Sequence, residues 1–416
     1  VNAGLSFVHG KAVIYHCQED HDMPTSNKIA ESIKRASWIR KMFEEGARLK
    51  KEHGAENVFD FSLGNPNVEP VEELKQAMIH AASDRTPGVH GYMPNAGYPD
   101  VRAAVAAKIS EDEGIALTER MIVMTCGAGG ALNVVLKTIL NYGDEVVIPK
   151  PYFVEYGFYV DNHGGKAVTV DSSKDFSLDL GAIEAAISAK TAAVLINSPN
   201  NPTGRVYPER QISDLGQLLE RKSREHGRPI VLISDEPYRA IAYDNVTVPS
   251  ILKSYRNSIT VTSFSKDLSI PGERLGYIAV SPAMDDLDAT IEGLVLSNRI
   301  LGYVNAPALM QRAVKNCLRS VVDVSIYKRR RDRLYAALTD FGYECEKPEG
   351  AFYLFPKSPL PNDVDFVSIL QKKLILTVPG TGFGGPGYFR IAYCVSDSTI
   401  EGSLSGFKEA IDEVKK

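Results

Sequence analysis

Seven short apolar runs between residues 121 and 280 constrain the fold more than any other feature of the chain. They span 121–125, 145–148, 167–170, 192–197, 230–235, 259–263 and 276–280, with helical periodicity between most of them. Apolar strands that alternate with helices imply a largely parallel sheet covered on both faces. In such sheets ligands bind beyond the carboxyl ends of the strands. The expected fold class is therefore α/β: a large domain with a mainly parallel, seven-stranded sheet covered by helices, plus a smaller α+β domain.

The flanking sequence fills in this plan. Residues 28–51 carry the apolar spacing of one amphipathic helix, 71–82 reads as another, and 87–99 is a loop rich in Gly, Pro and Tyr. A long helical region is expected over 307–338. Its run Tyr327-Lys328-Arg329-Arg330-Arg331-Asp332-Arg333 reads as one solvated helix face rather than a nucleic-acid surface. Strands over 351–355, 374–378 and 388–393, then a helix from Thr399, make up the smaller domain. The expected division is a disordered or non-native extension at 1–22, an N-terminal arm and helix at 23–70 joining the small domain, a large cofactor-binding domain at 71–320 and a small domain at 321–416. Met23 is the expected natural start, because the preceding residues lack the basic start and apolar core of a secretory signal.

Composition excludes several classes. A net charge of −5 over 416 residues argues against nucleic-acid or anionic-membrane partners. No apolar run approaches the roughly 18 residues of a membrane span. The five cysteines form no CxxC pair, which fits a reducing cytoplasm, and the eight scattered histidines give a metal little support.

The chemistry is expected in the loop after the sixth strand, Ser263-Phe264-Ser265-Lys266, with Arg274 eight positions beyond the lysine. Desolvation and a nearby cation lower a lysine's pKa and free its amine to attack a carbonyl. Three other motifs stand at strand ends. Cys126-Gly127-Ala128-Gly129-Gly130 leads into a helix and is small enough for backbone N–H groups to cradle a phosphate. Asn197-Ser198-Pro199-Asn200-Asn201-Pro202-Thr203-Gly204 holds its backbone extended or turned. Asp235 ends an apolar strand, where a carboxylate is costly without a positive partner. A lysine for a Schiff base, an acid for a ring nitrogen and an anion site together suit pyridoxal 5'-phosphate.

From about Ile33 to the C-terminus the chain resembles the fold-type I, class I/II aminotransferases, of which aspartate aminotransferase is one. The resemblance rests on Asn201-Pro202-Thr203-Gly204, Asp235-Glu236-Pro237-Tyr238, Ser263-Phe264-Ser265-Lys266, Arg274-Leu275-Gly276-Tyr277, Pro348-Glu349-Gly350-Ala351-Phe352-Tyr353 and Phe389-Arg390-Ile391. It implies a ping-pong transfer of an amino group from an L-amino acid to a 2-oxo acid, by default 2-oxoglutarate. Lys266 would be the Schiff-base lysine and proton shuttle. Asp235 would pair with the ring nitrogen, and Tyr238 and Asn201 would bond the ring oxygen. Gly127, Ala128, Gly129, Ser263 and Arg274 would hold the phosphate, and Phe153 would stack on the ring. Arg390 would clamp the substrate carboxylate near Gly64. A homodimer is implied, with Tyr92 reaching the neighbouring active site.

Other readings carry less. Gly382-Phe383-Gly384-Gly385-Pro386-Gly387 matches GxGxxG but precedes a strand instead of opening a helix. Ser263-Phe264-Ser265-Lys266 matches Ser-x-x-Lys without the accompanying Ser-Asp-Asn or Lys-Thr-Gly. A pyridoxal phosphate-dependent carbon–sulfur lyase would keep nearly all the same residues, and a non-catalytic cofactor sensor is a further alternative. Donor choice stays open among aspartate, alanine and aromatic amino acids. Gly129 stands where some aspartate-specific relatives carry a lysine, and Arg299 is the alternative reader of a distal carboxylate.

Overall fold

The structure is a computed structural model that describes residues 5–8, 11–14, 25–35 and 37–415. Its centre is a seven-stranded sheet of Ile122–Thr125 (β1), Glu145–Lys150 (β2), Lys166–Asp171 (β3), Thr191–Asn197 (β4), Val231–Asp235 (β5), Ser258–Ser263 (β6) and Gly276–Val280 (β7). The order is β1-β7-β6-β5-β4-β2-β3. All pairs are parallel except those of β7, which runs antiparallel to both β1 and β6. Residues 264–275 link β6 to β7 without an α-helix, so the chain turns back beside β6 instead of crossing over. That return loop carries Lys266.

Burial explains the sheet. All seven residues of β4 are buried, as a strand covered on both faces requires. Side chains alternate between two cores: Ile122, Met124, Val194 and Ile196 pack on one face, Val123, Ala193, Leu195 and Ile233 on the other. The covering helices are amphipathic. Glu209–His226 buries Ile212, Leu215, Leu218 and Leu219, and ends on Gly227 in the left-handed conformation.

Register then gathers the strand ends. Asn197 stands opposite Asp235, and Gly276 stands opposite both Ser263 and Thr125. The carboxyl ends of β1, β4, β5 and β6 therefore share one edge of the sheet.

The C-terminal part adds a three-stranded antiparallel sheet of Tyr353–Leu354, Phe389–Ala392 and Val378–Pro379. Its own core gathers Phe61, Leu334, Phe352, Phe366, Phe389 and Phe407. Phe59–Asp60 pairs in parallel with Ile375–Leu376. Helix Ser37–His53 lies against this region: Gln371 Nε2 donates to Glu45 Oε1 at 2.6 Å, and a Cβ at Gly46 would come 2.9 Å from Leu376 Cδ1.

Three expectations differ from the structure. The region 28–51 forms two helices, Asn27–Arg35 and Ser37–His53. The region 307–338 is also two, Ala308–Lys315 and Val324–Phe341, because Asp323 caps a fresh N-terminus by accepting from Ser325 N at 3.0 Å. The basic run is a solvated face only in part: Arg329 and Arg333 are exposed, whereas Arg331 is buried. Arg331 is 0% exposed, bonds Asp244 and Asp332 at 2.7 Å and the Pro348 carbonyl at 2.9 Å, and lies 4.5 Å from the Tyr243 ring centroid. Arg330 and Arg333 pair with Asp397 and Glu401. Acids remote in sequence neutralise the run, and burial of Arg331 is compensated by three hydrogen-bond partners.

Of residues 1–22, the structure describes Leu5–Val8 and Lys11–Ile14, which pair antiparallel; Met23 and Cys17 lie outside the described residues. Cys126, Cys317, Cys345 and Cys394 are free thiols. No described helix is long and apolar enough to cross a membrane.

Candidate active site

A cavity of about 330 Å³ opens beyond the gathered strand ends. Ala128, Gly129, Phe153, Asn201, Asp235, Tyr238, Ser263, Lys266, Arg274, Arg390 and Gly64 all line it. Gly127 stands just behind, at the start of helix Gly127–Ile139, with φ +71°. A Cβ there would come 2.8 Å from Arg274 Nη2, so only glycine suits both the backbone and the neighbour. The helix N-terminus and the Arg274 guanidinium thus converge on one anion-favouring corner.

Lys266 extends from the return loop, and its Nζ donates to the Gly64 carbonyl at 2.8 Å. A Cβ at Gly64 would fall 1.9 Å from the Tyr353 hydroxyl, which explains a glycine under the lysine. Burial pushes the Lys266 amine down to about 8, and the Arg390 and Arg274 guanidinium groups press the same way. Near neutral pH an appreciable fraction of this amine is free base.

Asp235 is 5% exposed at the end of β5. Its Oδ2 accepts from the Tyr156 hydroxyl at 2.6 Å, whereas Oδ1 is buried with no hydrogen-bond partner among the described residues. Burial raises the carboxyl to about 7, against the lowering effect of the Tyr156 hydrogen bond, and Glu236 adds to the rise. Asn197 positions this group: its Nδ2 donates to the Asp235 carbonyl at 2.7 Å and its Oδ1 accepts from Asn201 N at 2.7 Å.

Arg390 closes the opposite side. Its Nη1 donates to Asn201 Oδ1 at 3.1 Å and its Nη2 to the Ser62 carbonyl at 2.6 Å. The guanidinium lies between the Tyr353 and Phe383 rings, at 4.7 and 4.6 Å from their centroids. Its Nε is buried without a partner among the described residues. The Tyr238 and Tyr353 hydroxyls hydrogen-bond each other at 2.8 Å, and Phe153 meets Tyr156 edge-on at 5.6 Å.

An unpaired buried carboxylate oxygen asks for a positive N–H, and a lysine amine of lowered pKa stands in the same cavity with an anion corner beside it. This donor set fits pyridoxal phosphate: a ring N–H for Asp235, an aldehyde for Lys266, a phosphate for Arg274 and the helix end. Two residues stand apart. Tyr92 is 94% exposed and Arg299 is exposed, and neither lines the cavity. Sequence reading missed the contributions of Asn197, Glu155, Tyr156, Tyr159 and Tyr353 to the cavity. Asn197 and Tyr353 were legible as the ends of quoted motifs; the other three carry no local signal beyond their closeness to Phe153.

Comparison with known proteins agrees with this chemistry. The family "Aminotransferase class I and II" matches residues 56–406. An Aquifex aeolicus protein named "Probable aspartate/prephenate aminotransferase" is 32% identical over 373 residues, covering 86% of this chain and 92% of its own. Aromatic-amino-acid aminotransferase 2 of Thermococcus litoralis is 30% identical over 396 residues, covering 91% and 96%. The crystal structure of an amino transferase from Eubacterium rectale superposes with a TM-score of 0.92 at 37% identity, covering 95% of this chain and all of that one. The chain belongs to the class I and II aminotransferases and is a pyridoxal phosphate-dependent aminotransferase of fold type I.

Proposed function

We propose that the protein moves the amino group of an L-amino acid to 2-oxoglutarate by a ping-pong mechanism in which Lys266 is both the Schiff-base lysine and the proton carrier. When bound, pyridoxal phosphate supplies an aldehyde for amines and a ring that takes up electrons from the substrate's Cα. Asp235 holds a proton on the ring nitrogen; its partnerless Oδ1 is the observation that carries the reading. Lys266, once released, takes the Cα proton because its lowered pKa leaves it able to act as a base. Arg390 grips the α-carboxylate with the donors left over from Asn201 and Ser62, with the Gly64 backbone nearby.

In the same reading, Tyr238 and Asn201 bond the ring oxygen, Phe153 stacks on the ring, and Gly127, Ala128, Gly129, Ser263 and Arg274 hold the phosphate. The chain divides into a 71–320 cofactor-binding domain and a 321–416 small domain joined by 23–70. It works as a cytoplasmic homodimer in which the exposed Tyr92 reaches the neighbouring site.

Product analysis tests the proposal. With an amino donor and 2-oxoglutarate, glutamate forms one-for-one with the donor's 2-oxo acid, and double-reciprocal plots are parallel. Release of ammonia and pyruvate without any acceptor would replace it with the carbon–sulfur lyase. A protein that binds the cofactor yet turns over no amino acid would be the sensor instead.

A further inference from the structure

Among the described residues, five charged side chains line the cavity: Glu155, Asp235, Lys266, Arg274 and Arg390. The proposed function gives four of them a counterpart in the cofactor or the substrate's α-carboxylate. Glu155 has none. It opens the short helix Glu155–Asn162, next to Phe153, and its Oε2 is buried without a hydrogen-bond partner among the described residues. A buried carboxylate oxygen without a donor is costly, so something that enters the cavity is expected to satisfy it.

The surroundings say what that is. Tyr159 also lines the cavity, and its hydroxyl lies 3.1 Å from where a Cβ at Gly129 would stand. The place from which a lysine at 129 would reach a distal carboxylate is thus held by a tyrosine hydroxyl. Arg299 lies outside the cavity. The cavity thus sets an acid and a hydroxyl near Arg390, and among the described residues its only cations are Lys266, Arg274 and Arg390, each already given a counterpart. A second carboxylate brought there would face Glu155 as a like charge, whereas an ammonium or guanidinium would gain a charge-assisted hydrogen bond.

Resting on the aminotransferase reading above, we infer that Glu155 is a specificity-determining residue that favours, as amino donors, L-amino acids with a cationic side chain, of the lysine, ornithine and arginine class, over aspartate. Burial raises the Glu155 carboxyl, and its own backbone N–H and the Arg390 guanidinium draw it back only in part. The same acid disfavours the distal carboxylate of 2-oxoglutarate, so donor and acceptor respond to it in opposite senses.

The test compares wild type with Glu155→Gln in the cofactor-loaded enzyme. Ornithine and lysine are the donors, 2-oxoglutarate is the acceptor, and dissociation constants for the unreactive analogue α-methylornithine are measured alongside. In the variant, KM for the cationic donors and the Kd of the analogue rise about tenfold, while KM for 2-oxoglutarate falls. A merely structural role would shift all of them in one direction, and that result would overturn the inference. So would a wild-type preference for aspartate, whether or not Arg299→Ala removes it. Absence of transamination with every amino acid would overturn the aminotransferase reading itself. Normal transamination with unchanged constants in the variant would overturn only the role of Glu155.

Discussion

On the β5–β6 side of the cleft, sheet register sets three charged groups where the proposed cofactor contacts need them. Asp235 ends β5, Lys266 follows β6, and Arg274 stands against the helix that follows β1. On the other side, the short helix Glu155–Asn162 contributes an acid and two tyrosines to the same cavity, and the acid remains unmatched. The first side is built from strand ends, whose positions are set by a buried ladder. The second is built from a two-turn helix at the rim. The difference teaches that the proposed cofactor contacts come from strand ends, whereas the unmatched acid comes from a helix that is itself tied to the sheet through Tyr156 and Val160.

Breaking the first side should cost most. In Asp235→Asn, turnover of the loaded enzyme falls by about 10³, since the ring nitrogen loses its buried charge partner. Steady-state kinetics with bound cofactor would check this, and near-normal turnover would remove Asp235 from the mechanism. The cofactor-free protein behaves oppositely. Asp235 titrates near 7 when folded against an ordinary value of 3.8, so the folded state takes up the extra proton. The stability this contributes is complete below about pH 4 and is lost as the pH rises through 7. Removing the ionisable group should therefore make cofactor-free Asp235→Asn more stable than wild type at pH 8, by about 2 kcal/mol, with the gap closing toward pH 4. Chemical denaturation at the two pH values measures it, and a less stable variant at pH 8 would contradict the assignment of a buried, unpaired carboxylate.

Arg390 lies at the junction of the two sides. Arg390→Ala should raise KM for amino acids about 100-fold while the cofactor stays bound, because a desolvated charge pair to the α-carboxylate is lost. Cofactor loss with substrate affinity intact would place Arg390 on the wrong side of the comparison. The smallest expected change is the tenfold opposing shift in Glu155→Gln, which touches the rim alone.

What the sequence shows follows the same division. Six strands are legible because buried strands write themselves as apolar runs such as Thr191–Asn197, and the half-exposed edge strand Lys166–Asp171 by its Ala-Val-Thr-Val run. Lys266, Asp235 and Asn201 are legible because each sits within a few residues of a strand end, where local spacing already fixes the place. Glu155 and Tyr159 are not: in sequence they belong to an ordinary amphipathic turn, and only the closeness of Tyr159 to Gly129 and the charge of Arg390 acting on Glu155 give them meaning. Arg331 misleads for a related reason. Its basic neighbours suggest solvent, while the acid and ring that bury it, Asp244 and Tyr243, lie on another element, 87 residues from Asp244 to Arg331. The fresh start at residue 324 is marked by Asp323, whose Oδ1 accepts from Ser325 N and Oγ, and periodicity does not register such a cap.

The central claim is that Lys266 alone carries the cofactor. Reduction of the loaded protein with borohydride, followed by proteolysis and mass spectrometry, tests it most directly. The expected result is the reduced cofactor on the Lys266 peptide only, with no label and no turnover in Lys266→Ala. Label on another lysine, or normal turnover in Lys266→Ala, would contradict it.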